Sequence, residues 1–198
     1  MNEYAFALSL PAWKGTMGTC IEFFGYQGFT RLLAVLGYGM KFSNAFRAGI
    51  GLFYVYQHAG NESPSVHQVS FSMGTAVIIS DRLTLAFSAF NPFNLYFKSA
   101  AYSSLPAVFR LGMAYRPSGS FAILAEIEKS LDYPMIWKIG CTCNAGDKFY
   151  VSGGIRLFPA CFSLGAGYRV RKLMIGLASS YHQYLGFTPS TSIQYLIK

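Results

Sequence analysis

Apolar side chains recur at every second position along this chain, in runs of about 9–13 residues, and no stretch of ~20 apolar residues interrupts them. Residues 162–181, FSLGAGYRVRKLMIGLASSY, show what this excludes. As one buried helix they would place Arg169, Arg171 and Lys172 at its centre without a charge partner, which is costly. Read as two strands, Phe162, Leu164, Ala166, Tyr168 and Val170 share one face, and Cys161, Ser163, Gly165, Gly167 and Arg169 share the other. Beyond the turn, Leu173, Ile175, Leu177 and Tyr181 oppose Gly176, Ala178, Ser180 and His182. The basic residues then fall in the turn, in reach of water.

The same period runs through most of the sequence. Residues 45–57 set Phe46, Ala48, Ile50, Leu52, Tyr54 and Tyr56 against Arg47, Gly49, Gly51 and Gln57. Residues 66–80 set Val69, Phe71, Met73, Val77 and Ile79 against Gln68, Ser70, Ser72 and Gly74. In residues 108–116, Phe109, Leu111, Met113 and Tyr115 alternate with Arg110, Gly112, Ala114 and Arg116. Strands of soluble sandwiches average about 5–6 residues, whereas a tilted strand needs about 9–11 to cross a bilayer. The pattern predicts about thirteen strands, at 2–10, 15–25, 30–42, 44–57, 66–79, 81–90, 105–116, 119–129, 135–144, 148–158, 161–170, 171–183 and 187–198. The fold class is therefore all-β, an antiparallel transmembrane β-barrel, with residues 1–198 as one outer-membrane domain.

Composition supports this and removes other classes. The chain is 53% hydrophobic and only 12% charged, about half the charge of a soluble domain. Aromatic residues make up 17%, which favours strands. The net charge of +8 is scattered rather than clustered on one element, so no nucleic-acid face is expected. Cys20, Cys141, Cys143 and Cys161 have no histidine at zinc spacing, so no metal and no cofactor are expected and the cysteines read as small apolar residues. His58, His67 and His182 lack a nucleophile in an activating context, and the glycine pairs lack a phosphate-binding spacing. No catalytic residue is expected, and the protein is read as a non-enzyme.

The connections fall into two sets. SNA, SDR, RPSG, NAGD and the RVRK turn are tight; HAGNESPSV, NPFNLYFKSAAYSSL and SLDYP are longer, with FPA as the short member of their set. Outer-membrane barrels have short periplasmic turns and longer extracellular loops, and the two sets alternate accordingly. With the tight turns periplasmic, the first strand starts at the extracellular end. An even-stranded barrel that begins in the periplasm would then need one more N-terminal strand, about fourteen in all, preceded by an export signal that MNEYAFALSLPAWK does not resemble.

Four segments, LPAVFRLGMAYRPSG, LAEIEKSLDYP, GGIRLFPACFSLGAGYR and SSYHQYLGFTPSTSIQY, together resemble the C-terminal half of the PorV/PorQ-type outer-membrane proteins of Bacteroidetes. Those in turn are similar to FadL-type fourteen-stranded barrels. The resemblance covers roughly residues 105–198, and the earlier part only in pattern. It implies location in the bacterial outer membrane, contact with outer-membrane lipid, and one of two roles. A PorV-like barrel would be an accessory or shuttle of type IX secretion, with secretion-system proteins or exported cargo as partners. A FadL-like barrel would pass hydrophobic small molecules. A barrel enzyme acting on lipids is a third class, disfavoured by the lack of a nucleophile and base.

Two groups of residues stand out as candidate sites. Arg110, Glu126 and Lys138, with Glu128 beside them, become cross-strand neighbours on the lumen face if the hairpins close at RPSG and SLDYP. They would form an ion network that bridges strands; Arg47, Arg156 and Arg169 are further lumen charges. The long loop carries Phe93, Leu95, Tyr96, Phe97 and Tyr102, which would either contact a partner or ligand or fold inward as a plug. Tyr54, Tyr56, Tyr115, Trp137 and Tyr181 read as interfacial anchors.

Overall fold

The structure is a computed structural model that describes residues 2–26, 28–60, 64–92, 105–131, 133–146, 148–183 and 186–196. Every regular element in it is a strand: β1 (Asn2–Ala12), β2 (Gly15–Tyr26), β3 (Phe29–Lys41), β4 (Phe46–Ala59), β5 (Val66–Ile78), β6 (Leu83–Phe90), β7 (Val108–Ser118), β8 (Phe121–Ser130), β9 (Ile136–Ala145), β10 (Phe149–Leu157), β11 (Cys161–Val170), β12 (Leu173–His182) and β13 (Gly186–Tyr195). All thirteen belong to one sheet whose spatial order is the sequence order. The expected strands are all present, most within two residues of their predicted ends. The largest shifts are of three residues, at the start of β7, Val108 rather than 105, and at the end of β13, Tyr195 rather than 198. Pro106 offers no N–H to a ladder, and pairing begins beyond it.

The contested stretch resolves into β11 and β12. Val170 pairs with Leu173 across a two-residue turn in which Arg171 takes a left-handed backbone, φ 53°. Serines close two other tight turns. Ser43 Oγ accepts from the backbone N–H groups of Ala45 and Phe46, and Ser80 Oγ accepts from Leu83. Such side-chain acceptors take up donors that a turn would otherwise leave unpaired.

The chain divides into two compact units. One comprises Met1–Val77, Ala86–Phe109 and Ser130–Asp132; the other comprises Ile78–Leu85, Arg110–Lys129 and Tyr133–Lys198. In each, one face of the sheet displays large apolar side chains to the surroundings: Ile50 at 68% exposure in the first and Leu177 at 61% in the second. Water would not tolerate so continuous an apolar surface, whereas hydrocarbon would. This is the exposed face, and its opposite is the reverse face.

The reverse face of the second unit is built of small residues. Thr142, Ser152, Gly165, Ala178 and Ser190 form one transverse row, each paired with the next, and Gly140, Gly154, Ser163, Ser180 and Thr188 form another. Tyr150 adds an aromatic ring to this face. Its ring lies across Gly167, where an added Cβ would overlap the ring, and its hydroxyl reaches over Gly176. Glycine is required there by the close approach of the tyrosine. We expect Gly167→Val to destabilise the folded protein by about 1–3 kcal/mol through overpacking. In a Tyr150→Ala background the same change should cost much less, measured by urea unfolding in detergent micelles as a double-mutant cycle.

Candidate functional site

The ion network assembles on the reverse face of the second unit. Register places Glu126 directly opposite Lys138, and their side chains meet at 2.8 Å. Glu128, two residues along the same strand and therefore on the same face, accepts from Lys138 Nζ at 2.8 Å and from Arg110 Nε at 2.7 Å. Both bonds end on one oxygen, Oε2, so Glu128 ties β7, β8 and β9 together. Its side chain is also the least exposed of the four, at 17%. Sequence reasoning placed Glu126 in the foreground. Choosing between two strand-mates needs the position of Arg110, which only the paired structure supplies.

The row continues beyond the network. Lys138 faces Arg156 on β10, and Arg156 faces Cys161 on β11. Arg156 Nε is buried and has no hydrogen-bond partner among the described residues. Two like charges in direct cross-strand register repel, and the carboxylates on the other side of Lys138 offset this. Among the described residues no group of three or more His, Cys, Asp or Glu could hold a metal ion. The four cysteines are free thiols. Arg47 and Arg169, also expected as lumen charges, are exposed residues near the tight turns.

The first unit presents a different reverse face. Leu33 pairs with Val55, and Val35 with Phe53, while Leu32, Ala34 and Leu36 occupy the exposed side of the same strand β3. Strand β3 is thus apolar on both sides, and β4 carries Phe53 and Val55 among the glycines and charges of its reverse face. Phe90 adds an edge-on contact to Phe53, with ring centroids 5.0 Å apart. The wall Leu33, Val35, Phe53, Val55 and Phe90 was not singled out from the sequence. The readable signal was the lack of alternation in FTRLLAVLGYGMK, where the apolar period is broken on purpose. One ion pair also went unforeseen: Arg31 donates to Glu22 at 3.0 Å, with its guanidinium 5.8 Å from the Phe24 ring.

Buried polar groups brace the end of this wall. Ser70 and Asn91 are each 2% exposed. The Asn91 backbone N–H donates to the Phe71 carbonyl at 2.8 Å, and its Nδ2 donates to the Leu105 carbonyl. Phe93, Leu95, Tyr96, Phe97 and Tyr102 lie outside the described residues. The aromatic anchors Tyr54, Tyr56, Tyr115, Trp137 and Tyr181 share the exposed face, and the Tyr54 hydroxyl shares a 2.7 Å hydrogen bond with His67 Nδ1.

Because Glu128 serves two cations, we expect Glu128→Gln to lower stability by about 1–3 kcal/mol. Glu126→Gln removes one partially exposed contact and should cost roughly 1 kcal/mol or less. Urea unfolding of the two variants in the same micelles tests this order.

No protein-family model matches the chain, and no curated protein matches it in sequence. Solved structures do match. The chain is similar to the Pseudomonas putida toluene transporter TodX, with 11% identity, a TM-score of 0.68, and 96% of this chain and 79% of that one covered. It is similar to the CymD monoaromatic hydrocarbon channel, with 10% identity, a TM-score of 0.67, and 98% and 82% covered. It is similar to a Pseudomonas aeruginosa FadL homologue, with 13% identity, a TM-score of 0.66, and 96% and 74% covered. At such identities the likeness speaks to fold alone, and the fold is the antiparallel β-barrel that these solved structures share.

Proposed function

We propose that this protein sits in a bacterial outer membrane and admits hydrophobic small molecules along its barrel interior. The observation that carries this reading is the apolar wall of the first unit. Porin-type lumens are polar, and a barrel that only conducted water-soluble solutes would have no use for Leu33, Val35, Phe53, Val55 and Phe90 turned away from lipid. Apolar lining with few polar groups is the chemistry by which pockets hold apolar ligands. The solved structures with which the fold is shared include a toluene transporter and a monoaromatic hydrocarbon channel, which makes a small aromatic hydrocarbon the first ligand to try. Nothing in the comparisons favours the secretion-accessory reading. The network around Glu128 fits this role as a brace that holds β7, β8 and β9 at fixed spacing.

Cells expressing the protein should take up toluene faster than cells without it. Phe53→Ser and Leu33→Ser should each reduce binding of toluene by the purified protein about tenfold, since each removes ~1.5 kcal/mol of apolar contact. A faster-migrating unboiled band on a denaturing gel would establish that the variants are folded. Unchanged binding in folded variants would sink the proposal.

A further inference from the structure

The tight-turn end of the second unit is strongly basic. Arg82, Arg116, Lys148, Arg169, Arg171 and Lys172 lie in or beside its turns, against Asp81 as the single acid among the described residues there; Asp147 is the acid in the remaining turn sequence. Backbone hydrogen bonds draw these turns together in pairs. Arg116 N–H donates to the Arg82 carbonyl at 2.7 Å, Asn144 N–H to Ser120 at 2.7 Å, and Arg169 N–H to Lys148 at 2.7 Å.

The two faces of this end differ in kind. On the exposed face Phe149 packs on Tyr168, ring centroids 4.5 Å apart, as an aromatic pair suited to a lipid interface. On the reverse face Asn144 pairs with Tyr150, and Tyr150 with Gly167, two residues before Arg169. At this end a cleft of about 240 Å3 opens, lined by Ser120, Asn144, Lys148, Phe149, Tyr150 and Arg169 together with Gly119 and Gly146.

We propose that this cleft binds a phosphate-type oxyanion. Its lining combines two cations with hydroxyl, amide and phenol groups, which is the donor set that a tetrahedral oxyanion uses. Guanidinium supplies a planar fork and ammonium a point charge, so the two cations are complementary rather than redundant. A concave shape also concentrates counter-ions around the two cations more than a flat rim would. Tyr150 forms the floor, and the glycines beneath it are what allow its ring to lie flat there. The oxyanion has two sources, a free solute at the barrel mouth or the headgroup of an anionic phospholipid. The site depends on the fold and not on hydrophobic transport, so the two proposals fail separately.

The test is calorimetric titration of the folded protein, in neutral detergent at low ionic strength, with inorganic phosphate. Saturable one-to-one binding is expected. Lys148→Gln with Arg169→Gln should weaken it about tenfold or more, while Arg171→Gln with Lys172→Gln, which removes equal charge from the same end, should change it by about twofold or less. Equal losses in the two double variants, or no saturable binding, would overturn the proposal. A second measurement needs no variant. Phosphate should slow acetylation of Lys148 in the native protein, read by peptide mass spectrometry, and leave Lys172 unaffected; equal shielding of both would also overturn it. Dioctanoyl phosphatidylglycerol that displaces phosphate and binds more tightly would identify a lipid headgroup as the source. Phosphate binding that resists this competitor would identify a free solute.

Discussion

A strand removed from water must give every backbone N–H and C=O to a neighbour, and the rest of this structure follows from how that demand is met. Each strand pairs with the next in sequence, so connections stay local and the thirteen strands form one uninterrupted ladder. Once adjacent strands are in register, side chains divide strictly between two faces. A slip of one residue between β8 and β9 would carry Glu126 and Lys138 to opposite sides and break the contact between them. The ladder and the ion network therefore specify the same register, one through the backbone and the other through charge.

The faces created by the ladder meet different surroundings. Large apolar side chains on the exposed face suit hydrocarbon, and aromatic residues near the strand ends suit its interface with water. The reverse face is free of that demand and can vary with function. In the first unit it is an apolar wall; in the second it is a floor of glycine, serine and threonine crossed by charged groups. Bulk placed on the floor must be accommodated locally, as Tyr150 is by Gly167 and Gly176. Arg110, Glu128 and Lys138 show the corresponding solution for charge: a shared acceptor in a partly dry place, where each ion strengthens the bonds of its neighbours.

Fold and strand count were legible in the sequence because period-two alternation is a local property, repeated often enough to leave no rival. The turn residues were legible for the same reason, and the RVRK segment could be assigned from its charges alone. The candidate charges were legible in part. Glu126 opposite Lys138 follows from one short hairpin, but the convergence of Arg110 and Lys138 on Glu128 depends on two strand pairings at once. The wall Leu33, Val35, Phe53, Val55 and Phe90 was hidden because those residues come from β3, β4 and β6, and each alone looks like an ordinary interruption of the alternating pattern. What the sequence by itself determined was which residues are strands and which face each side chain takes, since backbone geometry sets both. Only the tertiary structure decided which residues meet on a face, because that depends on the register between neighbouring strands.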